Sequence, residues 1–144
     1  MVKYMEIDEE KKNFPAKLEN LHDMMVFVAE SAKKQSLEDK NIEEIILAVE
    51  EAVANIIKYA YPNSDGDIEI RCSPEGNSGI GITIIIKDKG IPFNPLEHDE
   101  EIDVSAPIEE REIGGLGIFM MQKIMDHVLY SRENDSNILT MTKK

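Results

Sequence analysis

The sequence has few of the residues that characterise several large classes of protein. Its single cysteine, Cys72, excludes an internal disulfide and a cysteine-rich metal site. No apolar run approaches the ~20 residues that a membrane-spanning helix requires. The first residues, MVKYMEIDEEKK, lack the apolar segment of a secretory signal. These absences make the cytoplasm the expected compartment, with no membrane association.

Basic residues are also scarce, because 16 Lys and Arg stand against 29 Asp and Glu and give a net charge of −13. A surface with this charge repels phosphate backbones, so we expect no binding to nucleic acids. The negative electrostatic potential of this surface also opposes the binding of any anionic ligand, unless positive charge at a local site outweighs it.

The composition and the order of the patterned segments indicate one globular domain over residues 1–144. The chain is 42% hydrophobic and 31% charged, which is typical of a protein that closes a single core. The predicted elements are a strand at 2–8, a helix from Pro15 to about Lys34, a helix between Ser36 and Pro62, strands at 67–73 and 79–88, a long loop at 91–113, a helix at 115–128, and a hairpin of strands 128–133 and 138–143. This order predicts an α+β two-layer sandwich, in which three helices cover one face of a mixed, mostly antiparallel sheet.

Local signals set the predicted starts of the first two helices. Pro15 suits the first turn of a helix, and an apolar stripe follows it at helical spacing. The stripe consists of Leu18, Leu21, Met25, Val28 and Ala32. The run Ser36-Leu-Glu-Asp39 resembles a capping box, with Asp in place of the usual Glu, and predicts that the second helix opens there.

The second helix carries a polar line on the side opposite its apolar stripe. The stripe consists of Ile42, Ile45, Ile46, Val49, Val53, Ile56 and Ile57. Glu51, Asn55 and Lys58 follow one another at i, i+4 and i+7 on the opposite side, whereas Glu50 points away from them. Spacing alone favours an ordinary solvated face. Asn55 is nevertheless a poor helix former, and its place in mid-helix invites a functional explanation.

Two glycine motifs follow further along the chain. The first, Asp88-Lys-Gly90, places a carboxylate at a strand end beside a residue without a Cβ, where a flat ligand with an amino group could lie. The second, Gly114-Gly-Leu-Gly117, precedes a helix and would expose backbone N–H groups to a phosphate. Segment 91–113 separates them and is long enough to close over a ligand. Each motif alone is also compatible with a simple turn.

Taken together and in this order, Glu51-x-x-x-Asn55, Asp88-x-Gly90 and Gly115-x-Gly117 resemble the GHKL (Bergerat-fold) ATPases. The segments are similar to the N box, the first glycine box, the ATP lid (about 91–113) and the second glycine box of that superfamily. The compact size and the run GGLGIFMMQKIMD look most like the stand-alone anti-sigma-factor serine/threonine kinases. The resemblance covers nearly the whole chain, and its strength lies in the ordered set.

The resemblance implies roles for the polar line of the second helix. Asn55 would ligate a Mg²⁺ ion that bridges the ATP phosphates. Glu51, rather than its neighbour Glu50, would be the general base that takes a proton from the attacking hydroxyl. Lys58 matches a basic position that contacts phosphate in related histidine kinases. The metal ion, a helix dipole and Lys58 would together override the global negative charge.

The glycine motifs receive roles in the same way. Asp88 would accept a hydrogen bond from the adenine amino group, and Gly90 would give clearance for the adenine ring. Gly115, Leu116 and Gly117 would let the end of the lid wrap the phosphates.

The implied function is that of an ATP- and Mg²⁺-dependent regulatory serine/threonine kinase. Such a kinase transfers the γ-phosphate to a small STAS-type anti-sigma-factor antagonist and can hold a sigma factor until partner switching releases it. The resemblance also implies a homodimer, for which the sequence itself holds no signal. The alternative is a nucleotide-responsive protein-binding switch without phosphate transfer. The two differ over Glu51, which only the kinase needs.

Four features depart from the family pattern or stand outside it. Pro92 occupies a position where many members have a further glycine, which predicts a stiffer start of the lid. Arg111 lies four residues before Gly115, further away than a phosphate-contacting arginine is expected. Residues 97–112 hold eight acidic residues and one arginine, so this segment either docks a basic partner or is merely solvated. His22, His98 and His127 are scattered, and none is expected to accept a phosphate.

Overall fold

The computed structural model describes residues 9–75, 81–97 and 117–144. Its strands and helices are β1 (Glu10–Pro15), α1 (Leu21–Lys34), α2 (Asp39–Tyr59), β2 (Asp67–Pro74), β3 (Ile82–Asp88), α3 (Gly117–Ile124), β4 (His127–Glu133) and β5 (Ser136–Lys143). Short 3₁₀ turns lie at Leu18–Asn20 and Pro95–Glu97. The α+β sandwich is confirmed, and the elements from α1 onward follow the predicted order. The described first strand was not predicted, because residues 10–15 were assigned to no strand.

The five strands form one sheet in the order β1-β2-β3-β5-β4, and every neighbouring pair is antiparallel. The turn between β4 and β5 is shorter than predicted and consists of Asn134 and Asp135. Both have positive φ, 48° and 67°, as a tight two-residue hairpin requires. Because β5 inserts between β3 and β4, it places its first residues beside the end of β3.

The hydrophobic core lies between the sheet and the helices. Alternate residues of the central strands are buried, as the period of two predicts. They are Ile68, Ile70, Ile82, Ile84, Ile86, Leu139 and Met141. Each of these side chains contributes roughly 1.5–3 kcal/mol by its removal from water. In the described part of the chain, no helix has the length and apolar character needed to cross a membrane.

The first helix starts later than predicted. Pro15 is the last residue of β1, where it pairs with Asp67 of β2, because the edge of a sheet tolerates a residue without an N–H group. Helix α1 begins only at Leu21. Leu18 is consequently 64% exposed and does not belong to the apolar stripe, whereas Met25, Val28 and Ala32 are buried as expected. The strand predicted at 2–8 lies outside the described residues.

The predicted capping box is wrong. Ser36 has a φ of 59°, and its N–H donates to the carbonyl of Lys33, so it terminates α1 instead of starting α2. Helix α2 begins at Asp39, with Glu38 at the N-cap position and no side-chain cap. Helix α3 also ends earlier than predicted, at Ile124, because His127 already pairs with Thr142 in the sheet.

Candidate functional site

The polar line of α2 is not an ordinary solvated face. Asn55 is only 7% exposed, and its Nδ2 donates to Glu51 Oε1 at 3.3 Å. Glu51 is half-buried, whereas Glu50 and Lys58 are exposed. The i, i+4 spacing therefore brings an amide and a carboxylate together on a partly buried surface of the helix.

Asp88 supplies a second buried polar group. It is 2% exposed at the end of β3, and its Oδ1 accepts hydrogen bonds from the Gly90 N–H (2.9 Å) and from Asn137 Nδ2 (2.8 Å). Its Oδ2 is buried and has no hydrogen-bond partner within the described residues. A buried acceptor without a partner costs about 1–3 kcal/mol. Such an atom in a folded protein calls for an explanation, and a ligand that donates to it would supply one.

Burial also changes the acidity of this carboxyl group. Removal from water raises the pKa of Asp88, and the hydrogen bonds from Asn137 and Gly90 and the nearby charge of Arg132 only partly oppose the rise. The dominant effect is therefore desolvation, which disfavours the charged form.

Gly90 packs against the end of α2. A Cβ at this position would lie 2.4 Å from the carbonyl oxygen of Ala60, which itself accepts a hydrogen bond from the Ile91 N–H at 2.9 Å. The absent side chain thus has a role in packing within the protein. That it also gives clearance to an adenine ring stays a prediction.

These contacts place the polar groups along one helix. Ala60 follows Asn55 by five residues and Glu51 by nine, which correspond to about 7.5 Å and 13.5 Å along the helix axis. The loop that carries Asp88 is held at the Ala60 end. In the order along the axis of α2, the loop next to Asp88 therefore comes first, Asn55 second and Glu51 third.

Aromatic residues join α2 to the start of the predicted lid. The rings of Tyr59 and Phe93 are 5.3 Å apart between centroids, and Lys58 Nζ lies 5.0 Å from the Tyr59 ring. The Tyr61 hydroxyl accepts from the Lys89 N–H at 2.8 Å and donates to the Asp67 carbonyl at 2.9 Å. Lys58 therefore lies near this loop, although its contact with phosphate stays a prediction.

Sequence reasoning missed Asn137, which it assigned to a turn. The side chain is 3% exposed and pairs across the sheet with Asp88. Asn137 stands in phase with Leu139 and Met141, so the alternation along β5 could have placed it on the inner face. The pairing with a residue of β3 is non-local and has no signal in the sequence.

Several expected residues cannot be placed. Gly115, Leu116, Arg111 and His98 lie outside the described residues, as does all of the acidic segment 97–112 except Glu97. Gly117 is the first residue of α3. The described ranges contain no group of three or more His, Cys, Asp and Glu side chains that could hold a metal ion.

Gly90→Ala tests the packing of this loop on α2. We expect a loss of about 1–3 kcal/mol in the free energy of unfolding, since the new methyl group meets a backbone carbonyl that cannot rotate away. Urea denaturation measures the loss. Lys89→Ala, at an exposed neighbour, serves as the control and should change stability by less than about 0.5 kcal/mol. Equal midpoints for the two variants would contradict the close contact with Ala60.

Comparison with known proteins gives two findings. Residues 14–143 match the family model of the histidine kinase-like ATPase domain. The chain is also similar to proteins named serine-protein kinase RsbW. Those of Bacillus thuringiensis (strain Al Hakam), Bacillus cereus (strain 03BB102) and Bacillus anthracis are each 27% identical to it over 132 residues, which cover 90% of this chain and 80% of the relative.

Proposed function

Because that match spans most of its length, the chain belongs to the histidine kinase-like ATPase domain family, and we propose that it is a regulatory protein kinase that uses ATP and Mg²⁺. It would transfer the γ-phosphate of ATP to a serine or threonine of a partner protein. The similarity to serine-protein kinases supports this reaction. The observation that carries the proposal is the buried Oδ2 of Asp88, which has no hydrogen-bond partner among the residues that the structure describes. Asp88 ends β3, just before the loop that packs against the end of α2.

Asp88 and Asn55 suit the two ends of an ATP molecule, the adenine base and the Mg²⁺-bound phosphates. An exocyclic amino group of adenine would satisfy Asp88 Oδ2, which at present has no donor in the described chain. The Nδ2 of Asn55 is engaged with Glu51, so its carbonyl oxygen is the atom that would ligate Mg²⁺, a hard cation that prefers oxygen ligands. Bound Mg²⁺ would neutralise charge on the phosphates and so reduce their repulsion by a protein of net charge −13.

Glu51 would act as the general base. The oxygen of the substrate hydroxyl attacks the γ-phosphorus, the bond between that phosphorus and the β-phosphate oxygen breaks, and ADP leaves. The hydroxyl proton passes to the Glu51 carboxylate. The hydrogen bond from Asn55 Nδ2 to Glu51 Oε1 fixes the orientation of this carboxylate. Lys58, exposed at the same side of α2, would contribute a positive charge near the phosphates.

The family resemblance supports the choice of partner, and the chemistry of the reaction requires that this partner present a serine or threonine hydroxyl. We place a small STAS-type anti-sigma-factor antagonist as the phosphate acceptor and a sigma factor as the protein that is held and released by partner switching. In this proposal residues 1–144 form one domain, segment 91–113 is the ATP lid, and Gly115, Leu116 and Gly117 contact the phosphates. The reaction would take place in the cytoplasm, where ATP and a transcription factor meet.

Thermal unfolding with MgATP tests the nucleotide site. At about 100 times its dissociation constant, ATP should stabilise the wild-type protein by roughly 2.7 kcal/mol. In Asn55→Ala the stabilisation by ATP should depend less on Mg²⁺ than in the wild type, because the metal loses its protein ligand and only its neutralisation of the phosphate charge is left.

Asn63→Ala, at an exposed residue after α2, is the matched control and should respond to MgATP as the wild type does. If MgATP did not stabilise the wild type, the proposed nucleotide site would be wrong. A full Mg²⁺ dependence in Asn55→Ala would remove Asn55 as the ligand.

A further inference from the structure

Helix α3 exposes an aromatic and a thioether side chain on its outward face. Phe119 is 58% exposed and Met120 is 36% exposed, whereas Met121 and Met125 are buried in the core. Lys123 is also exposed, one turn after Phe119, and its Nζ lies 5.1 Å from the centroid of the Phe119 ring. We call Phe119, Met120 and Lys123 the α3 surface. It is an apolar patch with a single positive charge beside it.

This surface differs from the other exposed apolar residues of the described chain. Phe119 is the one aromatic residue among the large hydrophobic side chains that are exposed there, and it is the one that is followed directly by another. Single exposed leucines are normal on a protein surface. Phe and Met, in contrast, are enriched in protein interfaces, because a large apolar side chain gains most when a partner removes it from water.

The charge that α3 carries is opposite in sign to that of the whole chain. Of the three α-helices that the structure describes, α3 is the one without an acidic residue, and Lys123 lies in its last turn. Lys143 adds a second positive charge, since its Nζ donates to the Ile124 carbonyl at 2.7 Å. The next carboxylate along the chain, that of Asp126, accepts from the Lys144 N–H at 2.7 Å. A partner carboxylate that a net charge of −13 repels elsewhere would therefore meet a positive charge here.

The α3 surface begins beside the proposed phosphate site. Helix α3 starts at Gly117, which the proposed function places at the phosphates. Phe119 and Met120 follow two and three residues later, about 3 Å and 4.5 Å further along the helix axis. Helix α3 also packs against α2, the helix that carries Glu51. A protein whose hydroxyl attacks the γ-phosphorus must therefore approach over a surface close to the first turn of α3.

We propose that the α3 surface is the docking site for the protein that accepts the phosphate. The acceptor would cover Phe119 and Met120 with apolar side chains and place a carboxylate beside Lys123. The inference rests on the proposed function, because it assumes transfer from ATP to a partner protein. It adds the part of the chain that recognises this partner, on residues to which no contact with the nucleotide or the metal is assigned. Recognition of the acceptor and binding of ATP can therefore be separated by mutation.

Phe119→Ala tests the apolar part of the surface. The probe is a STAS protein that the wild type phosphorylates with labelled ATP, and the measured quantities are the KM of that protein, kcat and the dissociation constant of MgATP. We expect the KM of the acceptor to rise by roughly 10–100-fold, the loss typical of an aromatic residue at the centre of an interface. Because the acceptor contact is uniform binding, kcat at saturating acceptor and the dissociation constant of MgATP should stay within about threefold of the wild type.

Lys123→Glu tests the charged part of the surface. The reversed charge would repel the carboxylate of the acceptor, so we expect a rise in its KM of about tenfold at low ionic strength. Added NaCl screens the repulsion in the variant and the attraction in the wild type. The difference in KM between the two should therefore shrink as the salt concentration rises, which a change confined to the fold of α3 would not produce.

Each variant has a matched control elsewhere in the chain. Leu18→Ala removes an apolar side chain that is 64% exposed, and Lys33→Glu reverses an exposed lysine in the last turn of α1. Both controls should keep the wild-type KM of the acceptor. An increased KM in Phe119→Ala and Lys123→Glu, with MgATP binding and both controls unchanged, supports the inference.

The remaining outcomes distinguish this inference from the function on which it rests. If the wild type phosphorylates no STAS protein, the proposed acceptor is wrong and the inference fails with it. If the wild type transfers phosphate and Phe119→Ala keeps the wild-type KM, the inference alone is overturned. An equal rise in the dissociation constant of MgATP would overturn it too, because α3 would then act through the nucleotide site. If Phe119→Ala converts a dimer into a monomer in light scattering without a change in KM, a second copy of this chain covers the surface, and the inference is overturned.

Discussion

Asp88→Asn should abolish the stabilisation by MgATP and at the same time make the protein more stable without nucleotide. The substitution replaces the unpartnered Oδ2 by an amide nitrogen, a donor that repels the adenine amino group. It also removes a buried carboxylate whose pKa is raised, above all by desolvation. The new N–H group is buried too, but a neutral group costs less, so we expect a gain on the order of 1 kcal/mol.

The sign of the pH dependence follows from the same carboxyl group. A group whose pKa is higher in the folded protein favours the folded state most below its unfolded pKa, and this contribution is lost as the pH rises through the folded pKa. The wild type should therefore lose stability relative to Asp88→Asn over that interval, and the two should converge in acid. Thermal melts at several pH values, with and without MgATP, measure both effects.

Asp65→Asn is the matched control, since it removes the same charge from an exposed residue. It should leave ATP binding intact and change stability by less than about 0.5 kcal/mol. If Asp88→Asn retained the stabilisation by MgATP, Asp88 would not be the residue that accepts a hydrogen bond from the adenine amino group. A variant less stable than the wild type at neutral pH would show that the carboxylate is satisfied in solution.

Glu51→Ala has the second large expected effect, on phosphate transfer. Loss of a general base typically costs about 10²–10⁴-fold in rate, whereas ATP binding should be largely spared because Asn55 and Asp88 remain. The measurement is transfer of labelled phosphate from ATP to candidate STAS proteins, alongside calorimetry of ATP binding.

Glu50→Ala controls for the loss of a charge one residue away. Glu50 is exposed and lies off the polar line of α2, so this variant should transfer phosphate at the wild-type rate. Transfer that is unchanged in Glu51→Ala would eliminate Glu51 as the base. A wild type that binds ATP but phosphorylates no partner would instead favour a nucleotide-responsive switch without kinase activity.

The parts of the fold that the sequence predicted well are those whose patterns are local. The segment 79–88 predicted a strand, which the structure has at Ile82–Asp88. The stripe from Ile42 to Ile57 predicted the inner side of α2, where Ile46 and Ile57 are half-buried and the other members are buried. Both patterns follow directly from the geometry of a strand and a helix. Pro15 was misassigned because a proline suits both the first turn of a helix and an edge strand. Ser36 was misassigned because its surroundings resemble a helix start, whereas its backbone terminates α1.

The candidate site likewise contains residues that the sequence predicts and contacts that depend on the tertiary structure. Spacing and the predicted elements drew attention to Glu51, Asn55 and Asp88, and the resemblance to the GHKL ATPases gave them roles. The structure adds that Asn55 and Asp88 are buried. The role of Asn137 was not predictable, since its partner Asp88 is 49 residues away and the register of β3 with β5 is a tertiary property. The packing of Gly90 on Ala60 is non-local for the same reason. Their roles toward ATP remain predictions.

The position of β5 between β3 and β4 has a consequence for the newly made protein. Residues up to Asp88 leave the ribosome well before Asn137, so a nascent chain carries the carboxylate without the amide that orients it. The five-stranded sheet is complete only when β5 has been inserted between β3 and β4, both of which are synthesised before it. The contact between Asp88 and Asn137 is thus one of the last that the polypeptide can form during its synthesis, and a chain interrupted before β5 would lack it.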